Sequence, residues 1–127
     1  MAKQISSPRG MRDFLPAEKS RRERILAEIL AVYQSRGFQS IETPALENLD
    51  RLLSGQGGDN EKLAFQVLKR GEELEKAIQQ DDALADLGLR YDLTVPLTRF
   101  YASNQAELPR VFKALQTGPV WRAERPQ

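Results

Sequence analysis

The spacing of apolar residues predicts one long helix near the start of the chain. From Pro16 to about Ser35, apolar residues recur three and four positions apart, and the opposite face is charged. Pro16 suits the first turn of a helix, and Gly37 stands where a glycine commonly follows a helix C-terminus. We therefore expect a surface helix that packs one apolar stripe on a core. The stripe comprises Ile25, Leu26, Ile29, Leu30, Val32 and Tyr33.

The remaining pattern predicts mostly strands, with short helices between them. Alternating or β-branched and aromatic residues predict strands over 38–43, 63–69, 87–94, 110–116 and 119–124. Helices are expected over 45–53, 72–87 and 95–102, a flexible loop over 54–60 and a turn at Gly71. A long helix followed mainly by strands predicts an α+β fold with a largely antiparallel sheet and flanking helices.

Composition limits the classes of function. The chain has 127 residues, which is enough for one domain with a core of its own. It has no cysteine and no histidine, which excludes a thiol nucleophile, a zinc–thiolate site and a histidine general base within it. The net charge of +1 is not that of an indiscriminate polyanion binder, although one arginine can still hold a phosphate. Without a secretory signal or a run of roughly 18 apolar residues, we expect a cytoplasmic protein with no membrane partner.

Asp92 and Thr94 form the first candidate site. They lie two residues apart in a predicted strand, so both side chains are expected on one face. An anionic acceptor beside a hydroxyl suits an ammonium group, such as the α-amino group of an amino acid. The alternative is that Asp92 or Thr94 caps the helix beginning near Val95, and spacing alone favours the cap because caps are so common.

Arg122 and Glu124 form the second candidate site. They alternate with Trp121 and Ala123, so they are expected to share one face of the last predicted strand. The planar fork of an arginine matches two phosphate oxygens and can stabilise charge that develops on a reacting phosphate. The alternative is a cross-strand ion pair on a solvated face, which is the default on spacing alone.

Four ordered tracts together resemble the class II aminoacyl-tRNA synthetases and, within them, the histidine–tRNA ligase family. Residues 8–16 are similar to the N-terminal signature of that family, and 37–47 resemble class II motif 1, with Pro44 in the place of its hallmark proline. Residues 89–96 resemble the amino-acid-binding strand in its Asp-Leu-Thr form. Residues 117–127 resemble the first half of motif 2, ending in Glu-Arg-Pro-Gln. The resemblance runs from about Ser7 to the last residue, with only 72–87 outside it.

The resemblance implies a role for each matching residue. Arg122 corresponds to the motif 2 arginine that contacts the α-phosphate of ATP and the substrate carboxylate, and Glu124 to the glutamate near the ATP end of the site. Asp92 and Thr94 correspond to positions that hold histidine, with Asp92 facing its α-amino group. Pro44 corresponds to a dimer-interface element, so homodimerisation is implied. The implied substrates are histidine, ATP with Mg2+, and tRNA(His), and no cofactor is expected to be bound tightly by this chain.

The same resemblance implies that residues 1–127 are the N-terminal part of a class II catalytic domain, with motif 1 and the first half of motif 2, and that the site is incomplete. The returning strand of motif 2, motif 3, the histidine-specific loop and the anticodon-binding domain would follow Gln127, so we expect little or no adenylation by this chain alone. The runner-up is the non-catalytic regulatory subunit of ATP phosphoribosyltransferase, built on the same fold, but the tract 121–127 favours the ligase. A third reading is a stand-alone dimerisation or interaction module.

Overall fold

The fold is known from a computed structural model, which describes residues 5–54 and 60–124. Within these ranges the chain forms five helices and five strands. The helices are α1 Pro16–Ser35, α2 Leu49–Leu53, α3 Asn60–Leu63, α4 Glu72–Gln79 and α5 Thr94–Asn104. The strands are β1 Gln39–Ser40, β2 Leu46–Asn48, β3 Gln66–Leu68, β4 Ala85–Leu89 and β5 Ala114–Leu115.

The strands form two small sheets. An antiparallel sheet has the order β2-β4-β3, and Gly88 of the central strand lies opposite Glu47 on one side and Gln66 on the other. β1 and β5 form a separate parallel pair, with Gln39 opposite Ala114. The expected α+β fold with an antiparallel sheet is confirmed, and the parallel pair is an addition that periodicity did not indicate.

A small core lies between α2 and the antiparallel sheet. Leu52, Ala64 and Tyr91 are buried and contact one another. Gly88 permits this close packing, because a Cβ there would lie 2.9 Å from Leu52 Cδ1 and 3.1 Å from the backbone oxygen of Phe65. Three partly buried side chains pack around this cluster, namely Leu53, Leu63 and Val95.

Helix α1 has the predicted bounds, but its apolar stripe is not packed on the core. None of its residues is buried, and Ile25, Ile29 and Val32 are 47–61% exposed. At the C-terminal end of α1, Tyr33 meets Phe38, the residue before β1, edge to face at 5.1 Å. The expectation of a core-packed stripe is wrong for the described residues, because periodicity identifies an apolar face without identifying what covers it.

Several element boundaries differ from those expected. Residues 45–53 form β2 and then α2 rather than one helix, α4 ends at Gln79 rather than near 87, and β4 ends at Leu89 rather than at 94. The predicted strand over 119–124 is not formed. Most of the predicted loop over 54–60 and the last three residues of motif 2 lie outside the described residues. In the part of the chain that is described, no helix has the length and hydrophobicity needed to cross a membrane.

The Tyr91 hydroxyl links the sheet to α2, because it donates a hydrogen bond to the Leu52 carbonyl at 2.9 Å. Burial, with a smaller contribution from the Asp92 carboxylate, raises the pKa of Tyr91 above its ordinary value of 10.0. Only the protonated phenol can donate this bond. The stabilisation is therefore complete below pH 10 and is lost as the pH rises further, since the unfolded chain releases its proton first.

We expect Tyr91→Phe to lower the free energy of unfolding by about 1 kcal/mol near neutral pH, because the Leu52 carbonyl loses its donor. Urea unfolding of both proteins at neutral pH and above pH 10 measures this. The difference should shrink at the higher pH, and a difference that does not change with pH would contradict the assigned role.

Candidate active site

The start of α5 holds Asp92 and Thr94 together. Asp92 Oδ1 accepts hydrogen bonds from the backbone N–H of Thr94 at 3.1 Å and of Val95 at 3.4 Å, and Oδ2 accepts one from the Thr94 hydroxyl at 2.9 Å. The expectation that both residues lie on one face of a strand is wrong, because β4 ends at Leu89 and Thr94 is already the first residue of α5. The capping alternative is the arrangement observed, since Asp92 satisfies N–H groups that have no partner within a helix start.

Capping leaves the Asp92 carboxylate with capacity for a ligand. A carboxylate offers about four lone-pair positions, and the three hydrogen bonds of Asp92 leave room for another donor. Asp92 is half-buried and Thr94 is exposed, so the pair can be approached from solvent. The start of α5 therefore presents an anionic acceptor and a hydroxyl side by side, the chemistry expected for an ammonium group.

Arg122 lies in a segment that has no strand structure but is held by backbone hydrogen bonds. The N–H of Trp121 donates to the Arg90 carbonyl at 3.0 Å, and the N–H of Ala123 to the Leu63 carbonyl at 2.8 Å. Arg122 Nη1 lies 3.6 Å from Glu124 Oε1, and both side chains are 54% exposed. The two side chains meet as expected, but on an irregular segment, because the pairing that would extend it into a strand is not made within the described residues.

Tyr91 connects the two candidate sites. Arg122 Nε donates a hydrogen bond to the Tyr91 carbonyl at 3.2 Å, and Tyr91 immediately precedes Asp92. The guanidinium of Arg122 thus contacts the backbone next to the carboxylate expected to bind an amino group. Asp92, Thr94 and Arg122, with Glu124 beside the arginine, form the candidate active site.

Pro44 lies outside this cluster but is joined to it. The residue is exposed, and its carbonyl accepts a hydrogen bond from Arg90 Nη1 at 3.4 Å. It follows β1 rather than closing a longer strand, since β1 ends at Ser40. The interface role of Pro44 stays a prediction.

Two buried charged residues near the site were not singled out from the sequence. Arg90 is 5% exposed, and Glu47 forms an ion pair with Arg99 at 2.7 Å with its own side chain 4% exposed. Their residue types do not indicate burial, because a charged residue in or next to a short strand usually faces solvent. A charge flanked by apolar residues, as Arg90 is between Leu89 and Tyr91, is the only available signal.

The described residues contain no preformed cluster of metal ligands. Within 5–54 and 60–124, no group of three or more potential ligands is close enough to hold a metal ion. Mg2+ accordingly enters only as the partner of ATP in the proposal below, and no step is assigned to it.

The fold is that of part of a class II aminoacyl-tRNA synthetase catalytic core. The family model described as histidyl-tRNA synthetase matches residues 10–127. The chain therefore belongs to the histidyl-tRNA synthetase family. Over its full length it is 61% identical to the histidine–tRNA ligase of Leifsonia xyli subsp. xyli, and it covers 31% of that protein. The chain thus spans about a third of the length of this relative.

Solved structures show the same relationship. The histidyl-tRNA synthetase of Nostoc sp. PCC 7120 is 32% identical, with a TM-score of 0.73 over 96% of this chain and 26% of its own. A Bacillus halodurans protein described as an ATP phosphoribosyltransferase regulatory subunit/histidyl-tRNA synthetase is 25% identical, with a TM-score of 0.75 over 98% of this chain and 30% of its own. The higher identities to ligases favour the ligase over the regulatory subunit.

Proposed function

We propose that this chain is the N-terminal part of a histidine–tRNA ligase and supplies one side of its adenylation site. In the proposed reaction a carboxylate oxygen of histidine attacks the α-phosphorus of ATP, the bond to the bridging oxygen breaks, and pyrophosphate leaves. The 3′-terminal hydroxyl of tRNA(His) then attacks the carbonyl carbon of histidyl-adenylate and releases AMP. The observation that carries the proposal is the contact of Arg122 with the Tyr91 carbonyl, beside Asp92.

Each residue of the site has a role that its chemistry supports. The Asp92 carboxylate and the Thr94 hydroxyl accept hydrogen bonds from the α-ammonium of histidine, which orients its carboxylate towards Arg122. The exposed guanidinium of Arg122 then binds the α-phosphate and the substrate carboxylate, and it stabilises the negative charge that develops between them. Glu124, now paired with Arg122, fixes the orientation of the guanidinium at the ATP side.

The proposal requires further parts of a ligase to face these residues. Arg122 is half-exposed and Thr94 is exposed, so no described residue closes the site above them. Catalysis by positioned charges requires water to be excluded and donors to be held on several sides of the phosphate. The residues described here provide one of these sides.

We expect the chain alone to catalyse ATP–pyrophosphate exchange at least about 1,000-fold more slowly than an intact ligase, because most of the groups that stabilise the transition state are missing. Exchange assays on the purified chain and on the Leifsonia xyli ligase, at equal concentrations, measure this. Ligase-level turnover by the chain would refute the expectation.

A chimera tests the proposed function. In the chimera, residues 1–127 replace the aligned N-terminal segment of the Leifsonia xyli ligase, with which they share 61% identity. The chimera should charge tRNA(His) with histidine, whereas a chimera carrying Asp92→Ala and Thr94→Ala should fold but charge it poorly. A folded chimera that binds histidine but does not charge tRNA would favour the regulatory-subunit alternative, which the Bacillus halodurans neighbour keeps open.

We further propose that the parent ligase is a cytoplasmic homodimer and that α1 and Pro44 belong to its interface. Ile25, Leu26, Ile29, Val32 and Tyr33 are 38–61% exposed and lie along one side of α1, and Pro44 is exposed as well. An exposed apolar stripe of this length is costly to leave in water, and a second copy of the chain is one surface that can cover it.

We expect Ile29→Glu to weaken self-association of the chimera by about tenfold or more, because it places a charge in the middle of the apolar stripe. The matched control is Ala31→Glu, at an exposed position on the opposite side of the same helix, which should leave association unchanged. Sedimentation velocity over a range of concentrations measures both. Equal association constants for the two variants would remove α1 from the interface.

A further inference from the structure

Arg90 is a buried arginine at the end of β4 that has no role in the proposed reaction. It is 5% exposed, and its guanidinium donates to the Thr43 carbonyl at 2.9 Å, to the Thr43 hydroxyl at 3.3 Å and to the Pro119 carbonyl at 3.0 Å. The Pro44 carbonyl is a fourth acceptor. Burying a guanidinium is costly unless its donors are satisfied. A side chain held by four neutral oxygens from two distant segments therefore fixes those segments relative to each other.

One of these segments leads directly to Arg122. Besides the Pro119 contact, the Arg90 carbonyl accepts a hydrogen bond from the N–H of Trp121, and the next carbonyl, of Tyr91, accepts one from Arg122 Nε. Residues 90 and 91 thus hold 119–122 at three successive points. The other segment comprises Thr43 and Pro44, whose oxygens accept hydrogen bonds from the guanidinium and hold it in place.

Gly118 shows how closely the guanidinium lies against this segment. A Cβ built on Gly118 would overlap Arg90 Nη2 and lie 3.4 Å from Cζ. The guanidinium cannot simply move aside, because its other nitrogens are bound to Thr43 and Pro119. A side chain at position 118 would have to displace either the guanidinium or the backbone that leads to Arg122.

We propose that Arg90 is a positioning residue that sets the location of the Arg122 guanidinium by clamping 118–122 to the segment that follows β1. This inference rests on the proposed function, in which Arg122 binds the α-phosphate. Arg90 itself touches no substrate. Its effect on the reaction passes through Arg122, since the two are joined by the hydrogen bonds of Trp121 and Tyr91.

Trp121 provides a structural test that needs no activity. It is the only tryptophan of the chain and stands within the clamped segment. In the purified chain, Arg90→Met should shift the tryptophan emission and raise its quenching by acrylamide, with unchanged far-ultraviolet circular dichroism. Gly118→Ala places a methyl group against the Arg90 guanidinium and should change the emission and quenching of Trp121 in the same way. In the Arg90→Met background, Gly118→Ala should cause little further change. Arg70→Met, at an exposed arginine in the turn after β3, is the control and should change nothing.

The kinetic test asks whether Arg90 acts through Arg122. In the chimera, Arg90→Met should lower kcat for pyrophosphate exchange by about 100-fold, since a small displacement of a catalytic group has an effect of that size. The KM for histidine should rise much less than kcat falls, because Asp92 and Thr94 still hold the ammonium group of histidine. Arg90→Lys should not restore kcat, because lysine lacks the planar fork. In an Arg122→Gln background, Arg90→Met should cause little further loss.

The two tests separate failure of this inference from failure of the proposed function. An inactive, folded chimera would refute the proposed function, and the Trp121 signal would still decide whether Arg90 clamps the segment. If Arg90→Met and Gly118→Ala leave Trp121 unchanged, the clamp is refuted. If the fold-reductions in kcat caused by Arg90→Met and by Arg122→Gln multiply fully in the double variant, the clamp does not act through Arg122. The positioning role is then overturned.

Discussion

Arg122→Gln in the chimera is expected to reduce kcat for ATP–pyrophosphate exchange by about 100-fold or more, the usual effect of removing one preorganised donor from a developing negative charge. The glutamine keeps a polar side chain of similar reach but loses the charge and the fork. Because Arg122 is half-exposed and its side chain makes a single part-buried hydrogen bond, to the Tyr91 carbonyl, the fold should be preserved.

Controls separate this effect from a general change of charge. Arg122→Lys keeps the charge without the fork and should retain only part of the activity. Arg110→Gln removes an exposed arginine a short distance along the chain and should leave kcat unchanged. If Arg110→Gln lowered kcat as much as Arg122→Gln, the phosphate-binding role of Arg122 would be untenable.

Arg99→Met is expected to lower the free energy of unfolding by about 3 kcal/mol, because breaking a buried ion pair from one side leaves the other charge without compensation. Arg99 Nε lies 2.7 Å from Glu47 Oε1, and the Glu47 side chain is 4% exposed. Its second oxygen, Oε2, is buried without a hydrogen-bond partner among the described residues. Arg99 therefore provides the positive charge that compensates the buried Glu47 carboxylate.

A double variant provides the control for this pair. Replacing both residues, Arg99→Met with Glu47→Leu, removes the buried charge together with its partner and should recover part of the lost stability. Urea unfolding of the single and double variants measures the coupling between them. If the double variant were destabilised by the full sum of the two single changes, the ion pair would not be the cause.

The long helix could be predicted from the sequence because its signals are local. Pro16 at its start and Gly37 just after its end mark the bounds that are observed. The packing of its apolar stripe could not be predicted, because burial depends on a partner surface that a periodic pattern does not specify. The lengths of β1 and β5 were also predicted wrongly, because each strand has only two residues. Their parallel pairing could not be predicted from local patterns, because it joins segments far apart in the sequence.

The candidate site was predictable in its residues but not in its geometry. Asp92 and Thr94 are adjacent as expected, although through a helix start rather than through the alternation of a strand. Arg122 could be identified from the sequence because an arginine fork matches phosphate oxygens. Its contact with Tyr91 could not be predicted, because it depends on tertiary structure. The burial of Arg90 is indicated in the sequence only by its apolar neighbours, and its contacts could not be predicted, because its acceptors lie 29 to 47 positions away along the chain.

The proposed function requires this chain to supply the side of an adenylation site that binds the histidine ammonium group and the α-phosphate. The most direct measurement is ATP–pyrophosphate exchange by the chimera without tRNA, with and without histidine. Exchange should require histidine and should be lost in both Arg122→Gln and Asp92→Ala. Exchange by a folded chimera that is absent, independent of histidine or unaffected by these two changes would contradict the proposed function.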